Sequence, residues 1–487
     1  MKRSSVITIS LVAAFVLLTG KASATTFVVN TVNDPGTGGC DASECTFREA
    51  LAAANTGGVR DDTITFTVSG FISALGTPFP TIQSAATQGK LAIEGPGAAA
   101  LSIRRSFGNF GILNNSIGAN TTISDLTITG GAATAGAGGG VFNFGTLLLE
   151  RVAILDNNAN GGGGLSNDNN ATLTLRRSLV AGNTSNPNSQ GAGIYSIGTL
   201  DIDRSTITDN RQLGTGGADF GGGIASFGTT KITDSTIAGN SSVNGSNITA
   251  TSGTATLTNT IVADPTRSNA GNSVNCAGTF IVSAGFNLSD DNTCALTQPT
   301  DLPGVEPALG TLGDNGGPTE TMALLQTSPA VDAGNDTTAS GTDQRGLPRP
   351  SDFPDEANVA DGSDIGAFEL QVPPPTGGGG GGGDAATCSG VTATIAGTDG
   401  VDRIRGTSGA DVIAALGGDD IVNGGRGEDL ICGGDGKDKL KGGPGKDRLL
   451  GEAGKDRLSG GSGTDTLVGG PSKDRCKASG KDKLKTC

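Results

Sequence analysis

Nine aspartates near the C-terminus recur at a strict nine-residue step and form the densest chemical pattern of the sequence. They are Asp402, Asp411, Asp420, Asp429, Asp438, Asp447, Asp456, Asp465 and Asp474. Eight of them have glycine two positions earlier, and eight have an aliphatic residue two positions later. Carboxylate and carbonyl oxygens are the ligands that hard cations prefer, and glycine allows the positive φ that turns carbonyls toward an ion. We therefore predict that these nine aspartates bind Ca²⁺.

The same spacing indicates which elements hold the aspartates. The repeat resembles the G-G-x-G-x-D-x-U-x nonapeptide of RTX, or haemolysin-type, calcium-binding proteins. The resemblance implies a parallel β-roll with two nonapeptides per coil, in which Asp411 shares a site region with Asp429, and Asp438 with Asp456. Leu416 and Glu452 depart from the glycine pattern. A last unit near Asp482 is out of register, and we expect it to be a cap.

A second candidate for chemistry is the pair Asp201 and Asp203, which would project about 7 Å apart from one predicted strand. Glycoside hydrolysis needs two carboxylates about 5–10 Å apart in a groove. Glu150, Arg176 and Asp203 are predicted to form one outward column, and Asp201 and Lys231 the next. The columns are interpreted either as a sugar-binding or acid–base face, or as an ion-pair ladder worth about 0–1 kcal/mol per pair. We favour the ladder.

These outward columns belong to a larger repeat, which occurs six times between residues 120 and 264. Its marker column is Asp125, Arg151, Arg177, Arg204, Asp234 and Asn259, with steps of 26, 26, 27, 30 and 25 residues. Two aliphatic columns flank it: Ile123, Leu149, Leu175, Ile202, Ile232 and Leu257 before it, and Ile128, Ile154, Val180, Ile207, Ile237 and Val262 after it. Such a period indicates a solenoid whose repeats bury their apolar faces against one another.

The pattern inside each repeat predicts strands rather than helices, because apolar and polar side chains alternate. A further column, Asn157, Asn183, Asn210 and Asn240, is predicted at a turn, where asparagine tolerates the left-handed conformation. We predict an all-β chain: a right-handed parallel β-helix followed by a parallel β-roll. The β-helix resembles the pectin-lyase-like group through its repeat alone. Beyond Asp264 we expect the array to decay into a disulfide-tied segment.

Composition limits the function classes. The 487 residues include 83 glycines, no His, no Trp and one Tyr, and the formal net charge is −15. Residues 1–384 carry 17 basic and 33 acidic side chains, whereas residues 385–487 carry 16 and 15. An acidic body argues against nucleic acid as a partner and against docking on an acidic membrane surface. The absence of histidine and of a C-x-x-C motif argues against a zinc site.

The N-terminus predicts export. Lys2 and Arg3 precede an apolar core, and an A-x-A cleavage site ends at Ala24, so residues 1–24 form a predicted signal peptide. No later apolar run is long enough for a transmembrane segment in the mature chain. Eight cysteines fit an oxidising compartment, and their positions suggest four local pairs: Cys40–Cys45, Cys276–Cys294, Cys388–Cys432 and Cys476–Cys487.

Residues 25–69 contain Cys45-Thr46-Phe47-Arg48-Glu49-Ala50, which resembles the motif of the CSLREA domain, a short module that precedes bacterial secreted β-helices. We predict a cap that covers the first coil, since a solenoid end exposes strand edges. Arg48 and Glu49 could be catalytic, but we expect structural roles for them.

Residues 310–371 carry Gly313 to Thr319, Ser328 to Gly334 and Asp364 to Glu369, which resemble the choice-of-anchor Q domain of secreted β-helix proteins. The predicted β-helix thus spans residues 70–309, and a Pro/Gly linker at 372–384 separates it from the roll at 385–487. We expect Arg345 to pair with a buried carboxylate.

Two function classes remain open. The first is a secreted or extracellular β-helix protein, with retention at the cell surface as an option, that binds calcium and has a binding or structural role; its partner would be a polysaccharide or another surface component. The alternative is an extracellular polysaccharide lyase or glycoside hydrolase acting on acidic glycans. A protease with an RTX tail is disfavoured because no H-E-x-x-H motif occurs.

Overall fold

The computed structural model describes residues 24–34, 38–56, 61–83, 89–134, 136–214, 220–263, 266–267, 274–325, 328–336, 341–351, 359–371, 386–398, 400–406, 409–477 and 482–487. The predicted signal peptide and linker lie almost wholly outside these residues. The chain divides into two compact units, Met1–Pro350 with Val359–Leu370, and Ser351–Asn358 with Gln371–Cys487. The described residues hold one helix, Phe47–Thr56, which is too short to cross a membrane. All other regular elements are strands.

The first unit is a parallel β-helix built from four sheets. The first sheet has ten strands: Thr26–Val29, Asp62–Phe66, Leu91–Glu94, Asn120–Ser124, Thr146–Glu150, Thr172–Arg176, Thr199–Asp203, Thr229–Thr233, Thr254–Thr258 and Ile281–Ser283. The second also has ten: Gly70–Leu75, Leu101–Phe107, Thr127–Thr129, Ala153–Leu155, Leu179–Ala181, Thr206–Thr208, Thr236–Ala238, Ile261–Ala263, Leu288–Ser289 and Leu302–Pro303.

Two narrower sheets complete each coil. The third contains Leu113–Asn115, Val141–Asn143, Leu165–Asn167, Ile194–Ser196, Ile224–Ser226, Ile248–Ala250 and Cys276–Ala277. The fourth contains Ala132–Ala133, Asn158–Ala159, Thr184–Ser185, Arg211–Gln212, Ser241–Ser242 and Thr266–Arg267. Within each sheet every neighbour is one coil away in sequence and runs parallel. The predicted solenoid is confirmed.

Both predicted aliphatic columns form continuous ladders in the core. Leu175 pairs in register with Leu149 and Ile202 in the first sheet, and Ile207 with Val180 and Ile237 in the second. All six side chains are fully buried. The core therefore consists of stacked aliphatic side chains, which explains why the chain needs so few aromatics.

The marker column is the bend between the first and second sheets. All six residues have a left-handed backbone, with φ between 46° and 56°. The predicted left-handed asparagines are wrong in detail, because the left-handed residues are the ones before them: Asp156, Gly182, Asp209 and Gly239. The asparagines instead form a buried hydrogen-bonded ladder, in which Asn183 Nδ2 donates to Asn210 Oδ1 at 2.9 Å and Asn210 Nδ2 to Asn240 Oδ1 at 2.9 Å.

The array continues past Asp264, where we expected it to decay. Cys276, Ile281 and Leu288 pair in register with the strands one coil earlier, and Leu302–Pro303 extends the second sheet once more. The disulfide Cys276–Cys294 lies within this continuing coil. The sequence pattern missed this coil because serines occupy both aliphatic columns, with Ser283 beside Leu257 and Ser289 beside Val262.

The helix Phe47–Thr56 is held by a capping box. Glu49 N donates to Thr46 Oγ1 at 3.2 Å, and Thr46 N donates to Glu49 Oε2 at 2.9 Å. Arg48 pairs with Asp34 at 2.8 Å. Phe47 and Leu51 are fully buried in the same cluster as the first coils. Structural roles for Arg48 and Glu49 follow from these contacts.

The described residues between 309 and 370 pack along the bend of the β-helix. A hairpin of Leu309–Gly313 and Thr321–Leu324 opens the segment. Thr206 Oγ1 donates to Gln344 Oε1 at 2.7 Å, and Ala367 N donates to Thr236 Oγ1 at 3.1 Å. Arg345 pairs with the buried carboxylate of Asp343 at 2.7 Å, as predicted. This segment thus covers polar groups that the bend would otherwise expose.

The second unit is a parallel β-roll. One sheet is here called the even sheet, because it carries the second, fourth, sixth and eighth of the nine aspartates. It contains Ile395–Ala396, Val412–Ala414, Leu430–Gly436, Arg448–Gly454, Thr466–Val468 and Lys483–Lys485. The other, the odd sheet, contains Arg403–Arg405, Ile421–Asn423, Lys439–Gly445, Arg457–Gly463 and Arg475–Lys477. Partners are 18 residues apart, for example Ile413 with Ile431, so two nonapeptides make one coil as predicted.

All four predicted disulfides are present: Cys40–Cys45, Cys276–Cys294, Cys388–Cys432 and Cys476–Cys487. Two lie in each unit, and no described cysteine is free. Disulfides of this number are typical of proteins from oxidising compartments.

Candidate metal centre

The repeating aspartates form two ladders, one along each sheet of the roll. The odd ladder contains Asp402, Asp420, Asp438, Asp456 and Asp474, and the even ladder Asp411, Asp429, Asp447, Asp465 and Asp482. In each ladder the backbone N–H of one aspartate donates to Oδ1 of the aspartate in the next coil. The donor–acceptor distance is 2.9 Å from Asp420 to Asp438 and 3.1 Å from Asp429 to Asp447.

The second carboxylate oxygen has no such partner. Oδ2 is buried and accepts no hydrogen bond in seven of these residues: Asp420, Asp429, Asp438, Asp447, Asp456, Asp465 and Asp474. A buried acceptor without a partner costs about 1–3 kcal/mol, and more when the group is charged. A row of cation sites would account for seven such oxygens in register, because each oxygen would bind an ion instead of accepting a hydrogen bond.

The residue five positions before the aspartate is glycine in eight of the nine repeats, which leaves room for Oδ2 beside the neighbouring coil, whereas Ala415 stands there before Asp420. A Cβ added to Gly442 would lie 2.3 Å from Asp447 Oδ2 and 2.6 Å from the carbonyl oxygen of Gly460. A Cβ at Gly451 would meet Asp456 Oδ2 and the carbonyl oxygen of Gly469, each at 2.5 Å. Carboxylate and carbonyl oxygens therefore converge where only glycine fits.

Glycine stands two positions before eight of the nine aspartates, and it is required there by its backbone conformation and by the close approach of adjacent coils. Gly436, Gly445, Gly454 and Gly463 have φ between 144° and 155°. A Cβ on Gly445 would lie 1.6 Å from the carbonyl oxygen of Gly427, so adjacent coils touch through their backbones. Leu416 and Glu452 lie four positions before Asp420 and Asp456. They also adopt a positive φ, at 76° and 66°, although neither is glycine.

Burial raises the pKa of the ladder carboxyls. The pKa of Asp429 and of Asp438 is raised to about 6 by burial, against the lowering effect of the backbone N–H that each accepts. Neighbouring carboxylates of the same ladder raise these pKa values further. The pKa values of Asp420, Asp447 and Asp456 are raised for the same first cause. A bound cation would offset both burial and repulsion.

These oxygens fit Ca²⁺, which takes six to eight oxygen ligands and accepts backbone carbonyls readily. No cluster of three or more His, Cys, Asp or Glu side chains occurs among the described residues. An ion in the roll would therefore be held mainly by loop carbonyls, with an aspartate Oδ2 as the charged ligand. Asp402 fits less well, because its Oδ2 already accepts hydrogen bonds from Thr398 N at 2.6 Å and Thr398 Oγ1 at 3.1 Å.

The comparison with protein families agrees with this geometry. The family model "RTX calcium-binding nonapeptide repeat (4 copies)" matches residues 396–431 and 433–467. This part of the chain consists of RTX calcium-binding repeats. The two matched segments contain most of the aspartates of both ladders. They also contain all of the glycines of the roll that are named above, except Gly469.

Comparison with solved structures finds lyases at low similarity. The crystal structure of pectate lyase Pel9A is 14% identical, covers 72% of this chain and 97% of its own, and has a TM-score of 0.33. The PL6 family alginate lyase AlyGC is 10% identical, covers 94% of this chain and 73% of its own, and has a TM-score of 0.18. The architecture described above rests on the strand pairing of this chain. No curated protein matches the chain significantly.

The pair Asp201 and Asp203 lies on one outward face, as predicted, but both aspartates have cationic neighbours. Asp203 Oδ2 lies 2.5 Å from Arg204 Nη2 and 3.4 Å from Arg176 Nε. Burial raises the pKa of Asp201, and the adjacent Lys231 lowers it. In the same column, Glu150 pairs with Arg177 at 2.5 Å and with Arg151 at 3.1 Å. The predicted ladder is thus present in part: Arg176 pairs with Asp203, whereas Glu150 pairs with the bend residues Arg151 and Arg177.

The sequence pattern missed one member of the site. Asp482 was interpreted as part of an out-of-register cap, yet its Oδ1 accepts from Asp465 N at 3.0 Å across 17 residues instead of 18. The strand Lys483–Lys485 absorbs the deletion and pairs with Thr466–Val468. The sequence signal was Asp482 with Leu484 two positions later, which repeats the spacing of the other units. It occurs 17 rather than 18 residues after Asp465.

Proposed function

We propose that this chain is a secreted β-helix protein whose C-terminal roll is ordered by calcium outside the cell. The nine predicted aspartates, together with Asp482, are its ligand candidates. The observation that carries the proposal is the row of seven buried Oδ2 atoms without hydrogen-bond partners. Five of them, in Asp429, Asp438, Asp447, Asp456 and Asp474, lie beside a glycine at which an added Cβ would also meet a backbone carbonyl oxygen.

The energetic argument concerns the roll without the ion. Each nonapeptide contributes one inward aliphatic side chain, such as Leu440, Leu449 or Leu458. Burial at roughly 25 cal/mol per Å² is small beside an ordering entropy of about 1–2 kcal/mol per residue. Like charges repel along both ladders as well. Calcium would convert this repulsion into attraction between coils, so binding would supply folding free energy.

The proposed location and role are extracellular. Low cytosolic calcium would keep the roll unfolded before export, and the four disulfides fit an oxidising compartment. Residues 1–24 would direct export, and the CSLREA-like and choice-of-anchor-like segments, at residues 25–69 and 310–371, would begin and end the β-helix. The β-helix itself would serve binding or architecture at the cell surface. No specific contact favours the glycan-cleaving alternative, because Asp203, one carboxylate of the best pair, is engaged by two arginines.

The test is amide hydrogen exchange of the full-length protein in calcium, in magnesium and in chelator. We expect calcium to protect amides throughout residues 409–477 and magnesium to protect them far less, because Mg²⁺ demands octahedral geometry and keeps its waters. The strands of the β-helix provide the internal control and should exchange equally in all three conditions. Equal protection of the roll in chelator and in calcium would contradict the proposal.

A further inference from the structure

The two sides of the roll differ in what covers them. The even sheet packs against a hairpin of Thr387–Cys388 and Val391–Thr392, which the disulfide Cys388–Cys432 ties to it. Cys388 and Ala393 are buried there with Ala414 and Cys432. The odd sheet has no such cover among the described residues of this unit, and a groove of about 670 Å³ runs along it.

This groove is lined by two columns of cationic side chains. Lys437, Lys455 and Lys473 directly precede the aspartates of successive coils, and Lys439, Arg457 and Arg475 directly follow them. Lys439, Arg457 and Arg475 are paired in register, so the column repeats about every 4.8 Å. All six side chains are exposed. One of them, Lys437, forms an ion pair with the exposed Asp419 at 3.6 Å.

The equivalent positions of the even sheet are not cationic columns. Ala410, Glu428, Lys446, Thr464 and Lys481 precede its aspartates, and Val412, Leu430, Arg448, Thr466 and Lys483 follow them, so uncharged residues interrupt the cations. The charge is also polarised along the roll. Residues 437–487 hold 13 basic and 7 acidic side chains, whereas residues 385–436 hold 3 and 8. The unbroken columns of cations thus lie on one side of the last coils.

We propose that this groove binds a linear acidic polysaccharide through its carboxylates. A regular column of cations matches a polymer that presents negative charge at regular intervals, and arginine pairs with carboxylate through two parallel hydrogen bonds. The inference rests on the proposed calcium function in one respect. Five aspartates, Asp419, Asp420, Asp438, Asp456 and Asp474, line the same groove, and bound calcium would offset the charge of the ladder carboxylates and strengthen the attraction for a polyanion.

The chemistry of the groove favours a glycan over nucleic acid. Residues 385–487 contain no Phe, Tyr or Trp, so no aromatic side chain is available for the base stacking on which single-strand binding depends. The net charge of the whole chain is −15, which repels the dense phosphates of a duplex. A uronate polymer carries fewer charges per unit length and does not need stacking.

The experiment measures binding of short oligouronates, which do not gel with calcium, to the full-length protein at low salt. The test variant combines Lys437→Gln, Lys455→Gln and Lys473→Gln, and the matched control combines Lys446→Gln and Arg448→Gln on the even sheet. At the strength of exposed ion pairs we expect the test variant to bind roughly tenfold more weakly, and the control to bind as the wild type does. Binding should weaken as salt rises.

Hydrogen exchange with and without calcium is recorded on the same samples. If the roll is protected by calcium but the wild type binds no oligouronate, the groove proposal is wrong and the calcium proposal stands. If calcium gives no protection, the loss or retention of oligouronate binding in the test variant still decides the groove. Equal binding of a neutral oligosaccharide, equal losses in both variants, or tighter binding of a single-stranded oligonucleotide would each overturn the inference.

Discussion

The two oxygens of each ladder carboxylate have different environments. In Asp438, Oδ1 accepts the N–H of Asp420 and Oδ2 is buried without a partner. The hydrogen bond fixes the side chain, so the second oxygen is held in place before any ion arrives. Because burial raises the pKa of this carboxyl to about 6, calcium and protons compete for it in mildly acid solution.

Asp438→Asn should lower calcium affinity by about tenfold or more, because it removes the charged ligand from a central coil while keeping the side-chain shape. Isothermal titration with calcium measures the effect. The control is Asp419→Asn, which removes an exposed charge one coil earlier in the same groove. An unchanged calcium isotherm for Asp438→Asn would show that this carboxylate is not a ligand.

A second residue-scale prediction concerns Asp234, which is fully buried at the bend of the β-helix. Arg349 lies 3.6 Å from it, and Asn259 Nδ2 donates to its Oδ1 at 2.7 Å. Burial nevertheless raises the pKa of Asp234 from 3.8 to about 6. The folded state therefore holds a proton that the unfolded state releases, and this group's stabilising contribution is present below pH 3.8 and is lost as pH rises to about 6.

Asp234→Asn should remove this pH dependence, which corresponds to about 2–3 kcal/mol over the interval. Asparagine also suits the left-handed backbone at this position, as Asn259 does in the next coil. The Tm of the β-helix, measured at several pH values between 4 and 7, checks the prediction. Asp125→Asn, at the equivalent and partly exposed position of an earlier coil, should leave the wild-type profile intact. Parallel profiles for wild type and Asp234→Asn would contradict the assignment.

At the scale of elements, the asparagine ladder is a polar structure built inside an apolar solenoid. Asn210 accepts from the backbone N–H of Asn183 at 3.1 Å and from its Nδ2 at 2.9 Å. Its own Nδ2 donates to the carbonyls of Val180 and Thr208 and to Asn240 Oδ1, each at 2.9 Å. The ladder therefore satisfies backbone groups at the turn that strand pairing leaves open.

Asn210→Ala should destabilise the β-helix by about 2–4 kcal/mol, because several buried donors and acceptors lose their partners at once. Thermal unfolding followed by circular dichroism measures the change. Asn169→Ala, at an exposed loop position, should have almost no effect. A loss in Asn210→Ala no greater than in this control would mean that water replaces the missing amide.

The sequence predicted well those elements in which the type of each residue, apolar or polar, indicates whether its side chain points inward or outward. The columns of Leu175 and Ile207 revealed strand, register and core because an inward side chain must be apolar. The left-handed bend was not predicted, since Arg177 and Arg204 are not residues that favour that conformation. Hydrogen-bond partners such as Asp438 Oδ1 with Asp420 N depend on the stacking of coils, which spacing alone does not give.

At the scale of the whole molecule, two solenoids are stabilised by different means. The β-helix buries continuous ladders of large aliphatic side chains and polar ladders whose donors and acceptors are paired with each other. The roll buries one aliphatic side chain per nonapeptide, beside two ladders of carboxylates. The first should fold without any ligand, whereas the second should depend on calcium concentration.

Calorimetry of the full-length protein should therefore show two thermal transitions, of which calcium shifts one. Calcium at about 100 times its Kd adds about 2.7 kcal/mol per site to the roll and nothing to the β-helix. Two variants assign the transitions. Ile207→Asp buries a charge between Val180 and Ile237, which costs several kcal/mol and should lower the calcium-independent transition alone. Asp438→Asn should reduce the calcium shift of the other transition and leave the first in place. A single transition that moves with calcium in every variant would show that the two units unfold together.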